Sequence, residues 1–253
     1  MKWDNEAESK ALKLKSEGKS YREIAMILGT TSSSIKHKIR RLSQCQNMDK
    51  YKHTSEKTEQ LEEFIELLAG RELNILETNC GFGGMTEQYS KLGDVECYDI
   101  AKDRASLVNL QHENVTAIHA DSEKEVYRLV WANCKYDLVD IDPYGFPSKY
   151  FPHAFKLIED GLMFLTFPVM GVAQINKIMI RHYQAFWGIE LSDKDIYIEK
   201  ISKRLHEFAF QHKREIKIMQ VKRIDRIYRI AIYVKKKSLC DIVGLTVNRN
   251  IDI

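Results

Sequence analysis

Cysteine is sparse in this 253-residue chain, and what there is does not cluster. Its five cysteines, Cys45, Cys80, Cys97, Cys134 and Cys240, are odd in number, and none forms a CxxC pair. That argues against a zinc site or a disulfide framework and suits a reducing cytoplasm. No apolar run approaches the roughly 18 residues of a membrane span. No apolar h-region follows Met1-Lys2-Trp3-Asp4, so no secretory signal is expected. A large excess of one charge is absent too, with a formal net charge of +3. Hydrophobic residues make up 44% and charged residues 30%, so the chain reads as a globular protein able to bury a substantial core.

The charge is unevenly spread. Residues 1–45 hold ten Lys/Arg against five Asp/Glu, whereas the remainder is slightly acidic. A polyanion would therefore meet the N-terminal segment first. In that segment Ala11, Leu12 and Leu14 mark a helical stretch that Gly18 closes. Ser20-Tyr21-Arg22-Glu23 has the form of a capping box. Ile24, Ala25, Ile27 and Leu28 follow at helical spacing, and Gly29 ends the helix. A third helix starts at Thr30-Thr31-Ser32, with Ile35, Ile39 and Leu42 on one face. The pattern resembles a helix-turn-helix, whose last helix would enter a major groove. Ser33, Ser34, Lys36, His37, Lys38, Arg40 and Arg41 are the candidate nucleic-acid contacts. Residues 46–60 lack apolar periodicity and are read as a linker to a domain over 61–253. That domain begins with a helix burying Leu61, Phe64, Ile65, Leu67 and Leu68.

From Leu73 onward short apolar runs alternate with helical patterns. Strands are expected at Leu73–Glu77, Val95–Asp99, Val115–His119, Tyr136–Ile141 and Gly161–Phe167. Such alternation implies an α/β fold with a mostly parallel, Rossmann-like sheet. Residues 172–214 read as mostly helical, with basic and aromatic residues interleaved from Lys200 to Arg214. Ile216–Met219 and Ile227–Val234 then alternate like a closing antiparallel hairpin. Ligands in parallel sheets bind beyond the carboxyl ends of the strands. Glu77, Asp99, Asp121 and Asp142 stand at four successive ends, and Ser122 follows Asp121. An acid after the second strand can accept hydrogen bonds from both ribose hydroxyls, and Asp121 and Ser122 lie where an adenine amine would be read. The turn Asn79-Cys80-Gly81-Phe82-Gly83-Gly84 fails the G-x-G-x-x-G spacing of dinucleotide enzymes, which disfavours a nicotinamide cofactor.

Together these features resemble the class I S-adenosylmethionine (SAM)-dependent methyltransferases over about residues 60–235, and imply a seven-stranded sheet and SAM as cofactor. By that resemblance Asn79, Cys80 and Gly81 lie against the methionine part, Asp99 and Ile100 hold ribose and adenine, and Asp121 meets the adenine amine. Glu77 completes the cofactor set. Asp142-Pro143-Tyr144-Gly145-Phe146-Pro147 resembles the catalytic turn of the tRNA guanine-26 N2,N2-dimethyltransferase family. In amino-methyltransferases of this kind the acid orients an exocyclic amine and the aromatic ring stacks on the base, so Asp142, Pro143 and Tyr144 are the candidate catalytic residues. A base within a duplex would have to be flipped out to reach them. Cytosine C5 chemistry is disfavoured, because Tyr144 stands where a cysteine nucleophile would be needed. The sequence thus points to methylation of an exocyclic base amine. It leans to DNA on the N-terminal motif, with tRNA guanine N2-methylation as the alternative and a SAM-binding regulator without catalysis as the third reading. Nothing in it sets an oligomeric state.

Overall fold

A computed structural model describes residues 3, 5–48, 53–143, 145, 147, 149–168 and 197–237. Three helices come first: α1 (Asn5–Ser16), α2 (Tyr21–Leu28) and α3 (Ser32–Met48). The capping box at the start of α2 is formed in full. The Ser20 amide donates to Glu23 Oε2 at 2.7 Å and the Glu23 amide to Ser20 Oγ at 3.3 Å. Gly29 caps the far end in the left-handed conformation. Ala11, Ile24, Ala25, Ile35 and Ile39 form a small core for the three helices. Ile27 points outward instead and is half exposed, because the apolar stripe of this short helix is centred on Ile24 and Ala25.

Among its described residues the expected linker is largely helical. Helix α3 runs on to Met48 and α4 spans Thr54–Ile65. The helix expected from Leu61 starts earlier, at Thr54, and the sequence hid that first part because polar residues carry its buried positions. Thr54, Lys57 and Gln60 are buried in step with Leu61 and Phe64, at spacings of three and four. A 3-10 turn at Glu66–Leu68 then rotates Leu67 outward, where it is 47% exposed, and buries Leu68.

The remaining elements alternate as expected. They are β1 (Leu73–Glu77), α5 (Thr86–Tyr89), β2 (Gly93–Asp99), α6 (Lys102–Asn109), β3 (Val115–His119), α7 (Ser122–Trp131) and β4 (Leu138–Ile141). Helix α8 (Phe151–Ala154), β5 (Asp160–Pro168), α9 (Tyr197–Gln211), β6 (Arg214–Ile224) and β7 (Ile227–Lys236) complete the set. The seven strands lie in the order β3-β2-β1-β4-β5-β7-β6. The first five pair in parallel, and β7 is antiparallel to both β5 and β6. Burial follows position: β4 is buried throughout and β5 nearly so, whereas the edge strand β3 exposes part of its length.

Apolar side chains on the two faces form two clusters. Helices α7, α8 and α9 cover one face, against Leu76, Val139, Ile141 and Leu165. Helices α4, α5 and α6 cover the other, against Ile75, Cys97, Leu138 and Phe164. Among the described residues no helix is long and apolar enough to cross a membrane.

Close backbone packing beside the centre of the sheet requires a glycine. A Cβ on Gly161 would lie 2.1 Å from the Asp137 carbonyl oxygen. Gly161→Ala is therefore expected to lower stability by about 3 kcal/mol through forced displacement of β5 from β4, read as a lower midpoint in urea denaturation.

Candidate functional site

Strand order reverses between β1 and β4, and the polar residues gather at the carboxyl ends of the strands around that point. The loop after β1 is pinned from both sides. The Thr78 amide donates to the Asp140 carbonyl and the Cys80 amide to the Tyr98 carbonyl, each at 2.9 Å. Gly81 has φ 53°, and a Cβ there would meet nothing within 4 Å, so this stretch of backbone borders open space. Its amide donates to Asp99 Oδ2 at 3.1 Å, while the Ala101 amide donates to Oδ1 at 2.7 Å. Asp99 is thereby oriented at the end of β2. Beside it Ile100 is 75% exposed, an apolar side chain left open next to the acid.

The other residues expected at a cofactor also have partners within the protein. Cys80 turns its thiol inward against Cys97, which pushes the Cys97 thiol up through that hydrogen bond and burial. Asp121 accepts from the Glu123 amide at 3.0 Å as the N-cap of α7. Ser122 is buried, accepting from Asn79 Nδ2 at 3.1 Å and donating to the Thr78 carbonyl. These bonds hold the Asn79 loop against the start of α7. Tyr150, at the start of α8, donates to Asn79 Oδ1 at 3.2 Å, a partner not expected from sequence.

Glu77 is almost wholly shut from solvent and accepts from Thr86 Oγ1 at 2.5 Å. Burial, reinforced by the nearby Asp140, pushes its carboxyl up to about 8. Asp140 itself is fully buried in β4. Arg229 from β7 reaches across β5 to grip it, with Nη1 3.0 Å from Oδ1 and Nη2 2.9 Å from Oδ2. Tyr89 donates to Oδ2 at 2.6 Å, and Arg229 also donates to Thr166 Oγ1 at 2.8 Å. Sequence reasoning missed Arg229; the signal that could have found it is its standing as a lone charge within an apolar strand, a pattern that calls for a buried partner.

Asp142 stands just past β4, two residues beyond Asp140. Its side chain keeps 22% of its exposure and is ion-paired with Lys57 of α4. Burial would raise its carboxyl, but Lys57 and Arg229 outweigh that and hold it below the usual carboxylate range. An ionised carboxylate at a partly open strand end can accept hydrogen bonds from an amine. Lys57 was hidden by its polar surroundings in sequence. Pro143 is partly buried, and Tyr144 lies outside the described residues.

On α3, Ser33, Lys36, His37 and Arg40 are exposed. Lys38 is not free to meet a nucleic acid, because it pairs with Glu8 of α1 and lies 3.9 Å from Asp103 of α6. Ser34 accepts from Trp3 Nε1 at 3.2 Å, and the Arg41 side chain lies outside the described residues. Within the basic and aromatic stretch, Phe208 is core and Arg214 is buried on the carbonyls of Ile158 and Lys156. Phe210 remains 66% exposed.

No family model matches the chain. A tRNA (guanine(26)-N(2))-dimethyltransferase from Methanococcus aeolicus is 32% identical over 124 residues, which cover 46% of this chain and 30% of that protein. The chain thus spans under a third of this curated relative. Trm1 from Pyrococcus horikoshii, solved with S-adenosyl-L-methionine, superposes with a TM-score of 0.55 at 14% identity, over 68% of this chain and 53% of that one. Trm5b from Pyrococcus abyssi gives 0.50 at 16% identity, over 72% and 48%. The plantazolicin methyltransferase BpumL, solved with SAH, gives 0.50 at 14%, over 78% and 90%. The chain has the class I methyltransferase fold.

The raised carboxyl of Glu77 has a consequence for stability. Its proton is held in the folded state and lost more easily in the unfolded chain. Its contribution is therefore fully present below about pH 4.5 and fades as the pH rises through about 8. Glu77→Gln is expected to flatten the stability profile between those limits, as measured by urea denaturation across pH. An unchanged slope would contradict the assignment.

Proposed function

We propose that this chain is a SAM-dependent methyltransferase acting on an exocyclic amine of a tRNA base. The observation that carries the reading is Asp142, an ionised and partly open acceptor at the end of β4 on the rim where strand order reverses. The cofactor fits what surrounds it. The Gly81 backbone borders open space, Asp99 is oriented by two amides, and Ile100 offers an exposed apolar side chain. Gly81 and Asn79 would lie against the methionine part, Asp99 would take the ribose hydroxyls, and Ile100 and Asp121 would border the adenine. SAM would supply an electrophilic methyl group. Asp142 would accept a hydrogen bond from the exocyclic amine and fix the direction of its lone pair, so the residues contribute alignment and charge.

The choice of tRNA over DNA follows the comparisons. The relative matched over 124 residues is named for tRNA guanine-26, and Trm1 is among the structural neighbours. The turn at Asp142 is the one whose resemblance pointed to the same family. The leaning to DNA rested on the three N-terminal helices, and none of the relatives named above supports it. Those helices still present Lys36, His37 and Arg40 outward, a set able to meet the phosphates of a folded RNA. An intact acceptor at Asp142 also weighs against a regulator that only binds SAM.

Purified protein with labelled SAM is expected to methylate bulk tRNA in preference to duplex DNA, and nucleoside mass spectrometry would name the base. The reverse ranking would return the assignment to DNA. Asp142→Asn should lower kcat by about 10²-fold with SAM affinity retained. Full activity in that variant would sink the mechanism. Lys36→Ala combined with Arg40→Ala should weaken RNA binding and reduce the slope of log K against log salt by about 2.

A further inference from the structure

Helix α4 lies outside the strand-and-turn pattern that identifies the site, yet it reaches into it. Its first turns are strapped to the β6–β7 hairpin. Lys222 Nζ donates to the Glu56 carbonyl at 3.2 Å and to Glu59 Oε2 at 2.9 Å. Gln60 Nε2 donates to Gln220 Oε1 at 2.9 Å, and Gln220 Nε2 donates to Glu63 Oε2 at 2.8 Å. His53, just before the helix, lies 3.9 Å from Asp225 in the hairpin turn. This lashing fixes the helix along one side of the site and sends the Lys57 side chain, itself only 9% exposed, onto Asp142.

The charges around Asp142 make that contact matter. Asp140 of β4 and Glu77 of β1 are its acidic neighbours, Thr166 of β5 supplies a hydroxyl, and Tyr150 at the start of α8 supplies a phenol. Arg229 of β7 is the second cation, but both its terminal nitrogens are engaged by Asp140, Thr166 and Tyr89. Among the described residues, Lys57 is the cation in direct contact with Asp142.

We propose that Lys57 is a positioning residue for the methyl transfer: its ammonium, delivered by α4, holds the Asp142 carboxylate as a fixed, charged acceptor for the substrate amine. The proposal rests on the function inferred above and assigns a part to a helix from the segment that joins the N-terminal helices to the sheet. Lys57 itself touches no reacting atom. Without it Asp142 would be a largely desolvated carboxylate with no cation in contact, and would hold a proton to higher pH. A protonated Asp142 offers a hydroxyl toward the amine and a poorer acceptor.

Two variants and two readouts test this. Lys57→Met removes the charge with the stem retained, and Lys57→Arg keeps the charge. In the protein alone, carboxyl carbon NMR with Asp142→Asn as the assignment control should show Asp142 titrating at higher pH in Lys57→Met and close to wild type in Lys57→Arg. With tRNA as substrate, kcat of Lys57→Met at pH 6 should fall about tenfold or more and recover as the pH rises, while the KM for SAM stays unchanged. Lys57→Arg should keep most of the activity across the range. A raised KM for SAM with an unmoved acidic limb would overturn the proposal in favour of a cofactor contact. An equal loss at every pH would overturn it in favour of a role in folding. If Asp142 titrates as expected but wild-type protein methylates no nucleic acid, the functional reading falls and the positioning role with it, although the ion pair stands.

Discussion

The fully buried pair of Asp140 and Arg229 is the constraint around which the carboxyl end of the sheet is arranged. Two opposite charges with no exposure are stabilising only when their remaining hydrogen-bonding capacity is met. Here the guanidinium grips both carboxylate oxygens, and Tyr89 and Thr166 take up most of the rest, while Arg229 Nε is left buried without a hydrogen-bond partner among the described residues. The guanidinium also lies 4.8 Å from the centre of the Phe164 ring. Removal of either partner would strand a buried charge, at a cost of about 3–5 kcal/mol. The pair ties β4 to β7 across β5 and draws α5 in through Tyr89. The position of β4, and with it that of Asp142 two residues later, depends on it.

Above that anchor the site is assembled by backbone more than by side chains. Amides of Thr78 and Cys80 bond the strand ends, and amides of Gly81 and Ala101 aim Asp99. Several acids come together where the parallel strands end, and each is handled differently. Glu77 is kept protonated by burial, Asp140 is paired, Asp99 is held by amides, and Asp142 is balanced by Lys57 while still partly open. Of these, Asp142 combines ionisation with access, the two properties an amine-orienting group needs.

The N-terminal helices are joined to this core by contact as well as by chain. Lys38 sits between Glu8 of α1 and the vicinity of Asp103 on α6, and Trp3 lies over the start of α3. A cation that looked like a nucleic-acid ligand is spent within the protein. Lys36, His37 and Arg40 remain outward, so the basic face is narrower than the sequence implied.

Much of the fold was legible because its signals are local. Strands β1 and β3 match their expected spans, and the other parallel strands differ only at their ends, since apolar runs bounded by turn residues record burial directly. The capping box and the hairpin were equally plain, being set by residues three or four apart or by alternation. The second half of α4 was legible through Leu61 and Phe64, but its first half was not, because Lys57 and Gln60 are polar residues buried against partners 85 and 160 positions away. For the same reason the sequence by itself determined which acids stand at the strand ends but not what each of them does there. That was decided by tertiary structure, which alone brings Lys57 to Asp142, Arg229 to Asp140 and Asn79 to Ser122. Whether a carboxyl is charged, neutral or engaged depends on its desolvation and on the nearest opposite charge. Both are properties of folded neighbours and not of chain order.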